Sequence, residues 1–335
     1  FTRFNNDLIL NFHKDFGDFS TKLLVGQNVR MDDRKQINIS ASNLLFEDIY
    51  NQGSRTGELT GGSTITKYRS LATYGEFTAG YKNYLFLTLT GRNDKVSVLD
   101  PNNNSYFSPG ISSSFVFTDA IESLKNNRVL NYGRVYSSYN KTGNVTLDPY
   151  RLNLTYSQTA GFPYGSLVGF TPSLSEPNLL IKPEFVKSYE VGLQLGFFNN
   201  RLSTDIAYAH SDSDGQIFNA GISSATGFNS TIVNAGQMIN KTLEVMINGT
   251  VIKNDKLKLD LGFNFSYTDT KAKNLFAGNE FNIFRQAYAL KDHQYPTLRM
   301  TDFLKEDGKI VLDKDGDVIP SDEEVVLGTM VPPYL

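Results

Sequence analysis

Cysteine and tryptophan are both missing from the 335 residues. Without cysteine there is no disulfide scaffold, no cysteine-type zinc site and no cysteine nucleophile. Histidine is scarce: His13, His210 and His293 each stand apart from any motif, and the first two fall within strand patterns, where they read as polar wall residues. An excess of one charge is also lacking. Thirty-two Lys and Arg against 35 Asp and Glu leave a net charge of -3, and the cations are scattered, so nothing marks a nucleic-acid partner. No run of about 18 apolar residues exists to form a transmembrane helix, and no charged-then-apolar leader opens the chain. A chain that starts at Phe1 without such a leader is expected to be a mature or truncated form. Serines occur in strands and loops without a nucleophile-elbow setting, and no catalytic constellation emerges, so an enzyme is not expected.

What is present is aromatic residues, 13% of the chain and all of them Tyr or Phe, set in period-two alternation. Leu257, Leu259, Leu261, Phe263, Phe265 and Tyr267 interleave with Lys258, Asp260, Gly262, Asn264, Ser266 and Thr268. A strand of that length suits the ~9–11 residues that cross a bilayer at a tilt better than the ~5–6 of globular sheets. Tyr189 to Phe197 and Leu202 to Tyr208 repeat the pattern around Asn199-Asn200. Weaker copies run from Asp7 to Phe16, Phe19 to Arg30, Tyr68 to Tyr81, Tyr84 to Arg92, Phe107 to Phe117, Arg128 to Tyr139 and Thr242 to Val251. A further strand near Gln216 to Gly221 brings the expected total to about eleven. Helix is expected only around Asp119 to Lys125, capped by Thr118-Asp119.

The connections alternate in kind. Tight turns at Phe16-Gly17-Asp18, Lys82-Asn83, Asn199-Asn200 and Lys253 to Lys256 are separated by long polar segments: Met31 to Lys67, Asn93 to Tyr106, Lys141 to Val186, Ser211 to Val233 and Lys271 to Glu324. Short periplasmic turns opposite long extracellular loops are the asymmetry of outer-membrane barrels. Phe16 and Phe19, Tyr81 and Tyr84, and Phe197 and Phe198 flank the tight turns as an interfacial girdle would. The competing reading is cross-strand aromatic pairs in a soluble sheet. The expected fold is thus all-β, a transmembrane antiparallel β-barrel wall over 1–335.

Several stretches resemble the SusC-like branch of TonB-dependent transporters of Bacteroidetes. These are Tyr84 to Asp94, Tyr136 to Asn144, Glu176-Pro177-Asn178-Leu179 followed by Tyr189 to Leu193 and Phe198 to Leu202, and Asn234 to Glu244. Their ordered succession is more specific than any one of them. Ile181-Lys182-Pro183 stands where the family usually has Trp. The resemblance implies a 22-stranded barrel with an N-terminal plug, of which this chain would hold about half, a fragment without the plug. It also implies import of oligomeric nutrients, glycan or peptide, together with a SusD-like surface lipoprotein lid, and with TonB acting through a region absent from this sequence. The alternatives are a passive or structural outer-membrane barrel and a secreted carbohydrate-binding β protein.

Asp313, Asp315, Asp317 and Glu324 occupy positions one, three, five and twelve of an EF-hand-like loop, a spacing that suits calcium. Val318 takes the place of the usual glycine and Pro320 follows, so a solvated acidic turn is the competing expectation. The loop from Leu152 to Phe170, with Tyr156, Phe162 and Tyr164, is expected either to contact substrate or a partner, or to pack with other loops over the barrel mouth.

Overall fold

The alternating segments become ten long strands of one antiparallel sheet. In the computed structural model, which describes residues 1–334 other than 126, 159–161, 163, 276, 277 and 279, these are β1 (Thr2–Phe16), β2 (Phe19–Ser40), β3 (Thr60–Tyr81), β4 (Leu85–Val96), β5 (Ser105–Val116), β6 (Leu130–Asn144), β7 (Glu184–Phe197), β8 (Leu202–Asp214), β9 (Gln237–Lys253) and β10 (Lys258–Asn274). They lie side by side in chain order, each paired with the next, and β1 and β10 are the two edges. The sheet is therefore open: it is part of a barrel wall.

Register decides which face each residue takes, because a slip of one residue would turn a strand inside out. Leu23 faces Phe77, Phe77 faces Leu89, Leu89 faces Ile111 and Ile111 faces Tyr139, without a shift in any of these four seams. Apolar side chains from strand after strand thus share one face. That face is bare: Leu261 is 58% and Phe263 57% exposed, and Leu259 and Phe265 are exposed as well. A water-soluble protein would hide a patch of this size. In a bilayer it meets hydrocarbon.

The opposite face needs room where strands curve. Gly192 lies directly across from Tyr136, and a Cβ there would fall 2.1 Å from the ring carbon Cζ; Gly26 accommodates Tyr74 in the same way, at 2.4 Å. In each pair the phenol lies flat over its glycine on the lumen face, covering backbone the glycine leaves open.

Four tight connections close one end. Lys82 and Asn83 both take positive φ, 48° and 59°, and the Tyr84 N–H donates to Tyr81 O at 3.2 Å. That is the type I′ geometry whose twist matches a hairpin. Asn254 closes the β9–β10 turn by accepting from the Lys256 and Leu257 N–H groups at 2.9 and 2.8 Å. Between β5 and β6 lies a short helix, Phe117–Ala120, and a 3-10 turn, Glu122–Leu124. The expected Thr118-Asp119 cap is not made. Thr118 is buried and its hydroxyl accepts the Gly133 N–H at 3.1 Å, tying the helix to β6. The aromatic girdle is present at this end: Phe19 meets Tyr81 at 4.8 Å, Tyr81 meets Tyr84 at 5.6 Å and Tyr84 meets Phe115 at 6.1 Å between ring centroids.

Two expectations are corrected at the other end. The predicted strand near Gln216 to Gly221 does form, as Ile217–Gly221, but it pairs with Ser230–Asn234 in a separate small sheet that also takes in Ser175–Glu176. The wall has ten strands. Conversely, β2 and β3 each run to 22 residues and stay in register up to the Ser40–Thr60 pair, so the loop between them is 41–59 rather than Met31 to Lys67.

Candidate functional site

On the lumen face, polar side chains link strand to strand. Arg134 donates from Nε to Ser114 Oγ at 2.7 Å and from Nη1 to Gln194 Oε1 at 3.3 Å. Gln194 Nε2 in turn donates to Asp205 at 2.7 Å, and the Tyr136 hydroxyl donates to the other Asp205 oxygen at 3.4 Å. One hydrogen-bonded row thereby crosses β5, β6, β7 and β8, and the charge of Arg134 is met without an apolar neighbour being asked to solvate it. Higher up the wall, Arg92 holds Asp94 through two bonds of 2.8 Å and lies over the Tyr74 ring at 5.6 Å. Higher still, Asp32 receives Arg3 at 2.7 Å and Arg30. The hydrogen bonds from Arg3 and then Arg30 hold the Asp32 carboxyl well below the usual carboxylate range. Such a surface suits water and hydrated polar solutes.

Above it the loops form a roof. Val96 at the end of β4 and Val98, Leu99, Leu152, Ile181 and Ile232 from three connections make an apolar cluster, and Ile181 is 1% exposed. Amides and one carboxylate brace it. Asn178 Nδ2 donates to Ile232 O at 2.8 Å, while Asn234 accepts the Lys182 N–H at 2.8 Å and returns a bond to Lys182 O at 2.7 Å. Glu184 Oε1 accepts from Thr146 Oγ1 at 2.6 Å and from the Ile217 N–H at 2.8 Å, joining 145–183 to 215–236. Loop backbone groups that no strand pairs are satisfied this way. Sequence reading named Asn178 and Asn234 as parts of motifs but assigned them no role, since nothing local in a sequence says that residues 56 apart share a joint. Aromatics project from this roof: Tyr164 is 77% exposed, and Tyr156 and Phe170 are exposed on a small hairpin of Tyr156–Gln158 with Phe170–Pro172. Of the loop from Leu152 to Phe170, Leu152 packs with the other loops while the Tyr156, Tyr164 and Phe170 rings stand exposed; 159–161 and 163 lie outside the described residues.

With wall and roof in place, comparison with known proteins is decisive. Residues 1–301 match the family described as TonB dependent receptor-like, beta-barrel. The chain belongs to this family. It is accordingly a multi-pass strand wall of the outer membrane, in a family of transport proteins rather than enzymes. The receptor segment is 28% identical over 214 residues to the TonB-dependent receptor P26 of Formosa agariphila, covering 63% of this chain and 21% of that protein. It is 24% identical over 277 residues to the receptor P3 of the same organism, covering 82% and 28%. The chain thus spans between about a fifth and somewhat over a quarter of the curated relatives it matches. Among solved structures, the RagAB peptide importer superposes over 99% of this chain and 38% of its own, with a TM-score of 0.82 and 19% identity. The outer-membrane transporter YddB of Escherichia coli superposes over 97% and 46%, at 0.60 and 11%. At these identities the likeness is one of fold.

The receptor's acidic loop is arranged for hydrogen bonding. Asp313 Oδ1 accepts the N–H groups of Asp315 and Asp317, both at 2.9 Å, so its carboxylate closes the turn. Glu324 lies on the strand Pro320–Thr329, with its carboxylate on Arg299, which also binds Glu280 at 2.6 Å. Asp313, Asp315, Asp317 and Glu324 are therefore not gathered around one point, and no group of three acids or histidines poised for a metal occurs among the described residues. His210 faces outward from the wall, stacked on Tyr189 at 4.8 Å.

Proposed function

We propose that the complete receptor imports an oligomeric nutrient, a glycan or a peptide, through the barrel lumen, energised through TonB and assisted by a SusD-like surface lipoprotein. The observation that carries the reading is the pairing of a hydrogen-bonded polar wall with cross-braced loops that carry exposed aromatic rings. Tyrosine and phenylalanine faces beside amides suit sugars and peptides alike, and a rigid roof offers a lipoprotein a fixed seat. A passive or structural barrel gains nothing from such bracing. The peptide importer whose fold this wall shares supports the same reading without deciding between peptide and glycan.

The test is made on the full-length receptor in its own host. Purification of the native complex, with mass spectrometry of co-purified protein and ligand, should return a surface lipoprotein and an oligomer. Uptake of that oligomer should stop when TonB is deleted. Uptake that persists without TonB would make the protein a passive barrel, and purification without any lipoprotein would remove the partner from the reading.

A further inference from the structure

The tall hairpin of β2 and β3 leaves one strand edge open. β4 accompanies β3 only as far as the Ser70–Val96 pair, whereas β2 stays with it to Thr60. Above Ser70 the seam is continued piecemeal. The Arg69 N–H donates to Ser97 Oγ at 2.9 Å, the Arg69 carbonyl accepts the Ser97 N–H at 2.9 Å, and the Lys67 N–H donates to the Tyr150 hydroxyl at 3.2 Å. Tyr150 sits there at a positive φ of 67°, a conformation that a bulky residue keeps only where its surroundings hold it. Backbone groups alternate sides along a paired strand, so the N–H and C=O of Ile65, Ser63 and Gly61 face the same edge as those of Lys67 and Arg69. No group among the described residues meets them.

Exposed strand edges are ordinarily blunted by charge, proline, a bulge or a covering segment. The β2 edge of this ribbon follows that rule: it carries Arg34 and Lys35, and Gln52 Nε2 from the hairpin tip donates to Ile39 O at 2.9 Å. The β3 edge does not. Gly61-Gly62-Ser63-Thr64-Ile65-Thr66 has neither charge nor proline, its register with β2 is unbroken, and all but Thr66 are exposed. Donors and acceptors repeating at every second residue form a template that an extended polypeptide matches and a sugar chain does not. Gly61, Gly62 and Ser63 build no pocket that would choose among side chains, so recognition falls on the main chain and tolerates many sequences, as a mixed cargo requires. A dedicated protein partner would be met by anchoring side chains instead. We propose that this edge binds imported peptide, which adds to the ribbon as an extended strand beside residues 61–65, with the Tyr150 hydroxyl marking its lower end. The assignment rests on the import reading above and narrows its cargo to peptide.

The full-length receptor in detergent is titrated with a fluorescein-labelled octapeptide of alternating Thr and Val. Bound peptide should slow amide exchange at Gly61, Ser63 and Ile65 by about tenfold or more, while Gly62 and Thr64, whose N–H groups face β2, do not change. Ser63→Pro removes one free-edge N–H and leaves the β2 ladder intact. It should weaken binding about tenfold, and Ser63→Val, which keeps that N–H, should bind as wild type does. The same peptide N-methylated at its four central residues should not bind wild type, a readout that stands whether or not the proline variant folds. Cellohexaose should neither slow these amides nor displace the peptide. The proposal is overturned if wild type ignores the octapeptide, if the N-methylated peptide binds as well as its parent, or if a folded Ser63→Pro variant matches wild type. Protection that spares Gly61, Ser63 and Ile65 would also overturn it, as would displacement by cellohexaose. TonB-dependent uptake of a co-purified glycan would leave the import reading standing while ending this one.

Discussion

Placing a charge on the bare face of β10 tests the membrane assignment directly. From Leu257 to Tyr267 the strand takes ten residue steps, ~33 Å along its axis and ~25 Å of height at a tilt of ~40°, which is the thickness of the apolar band of an outer-membrane barrel. Phe263 stands six steps above Leu257 and four below Tyr267, close to the middle. Its side chain is 57% exposed and faces Ile247 across the seam. Phe263→Lys should therefore cost ~2–4 kcal/mol, the depth-dependent penalty for a lysine at the midplane. Asn264→Lys, one residue along on the lumen face, should cost under ~1 kcal/mol because its ammonium stays in water. Urea unfolding of the refolded full-length receptor in phosphatidylcholine vesicles, followed by far-UV dichroism and by gel mobility without boiling, gives both numbers. Equal tolerance of the two lysines would refute the assignment of the faces. So would a larger loss at Asn264.

Other consequences can be checked in the same preparation. Gly192→Val should destabilise the wall by ~1–3 kcal/mol, because the new side chain occupies the space of the Tyr136 ring, and Tyr136→Ala should restore much of the loss in the double variant. Ile181→Ala should cost the roof ~2–5 kcal/mol; limited proteolysis should then cut within 145–183 at lower protease concentration while β1 to β10 survive. Asp32→Asn should weaken the β1–β2 extension by ~0.5–1 kcal/mol, a modest figure because both arginines are half-exposed, and hydrogen exchange of the amides around Asp32 should accelerate. Since the folded carboxyl has the lower pKa, that contribution is complete above the ordinary carboxylate value near ~4 and fades as pH falls below it, so wild type and Asp32→Asn should converge in acid.

Alternation was legible wherever one face meets lipid, and illegible where neither does. Leu257 to Tyr267 announces its strand because hydrocarbon enforces a period of two. Residues 31–40, Met-Asp-Asp-Arg-Lys-Gln-Ile-Asn-Ile-Ser, extend β2 with both faces in water, so nothing selects alternate residues and the sequence reads as loop. Pairing with β3 supplies the order there, through contacts such as Arg69 on Asp33 at 2.7 Å. The converse error at Gln216 to Gly221 has the same root: Ile217 and Ile232 are apolar because they pack in the roof, and composition alone cannot tell a buried loop strand from a membrane one. Asp313, Asp315, Asp317 and Glu324, which have EF-hand-like spacing, are set apart in the fold for another reason. Spacing places carboxylates near one bend only if the chain keeps bending, and here Pro320 begins a strand that carries Glu324 off to Arg299.

The joints among Asn178, Asn234 and Glu184 have a mechanical corollary. Three connections that share one apolar cluster and exchange backbone hydrogen bonds cannot swing independently; pushing the Tyr156 hairpin transmits load through Leu152 and Ile181 to the ends of β7 and β9. These connections then behave as one stiff collar, and a load on any one of them is shared by all three.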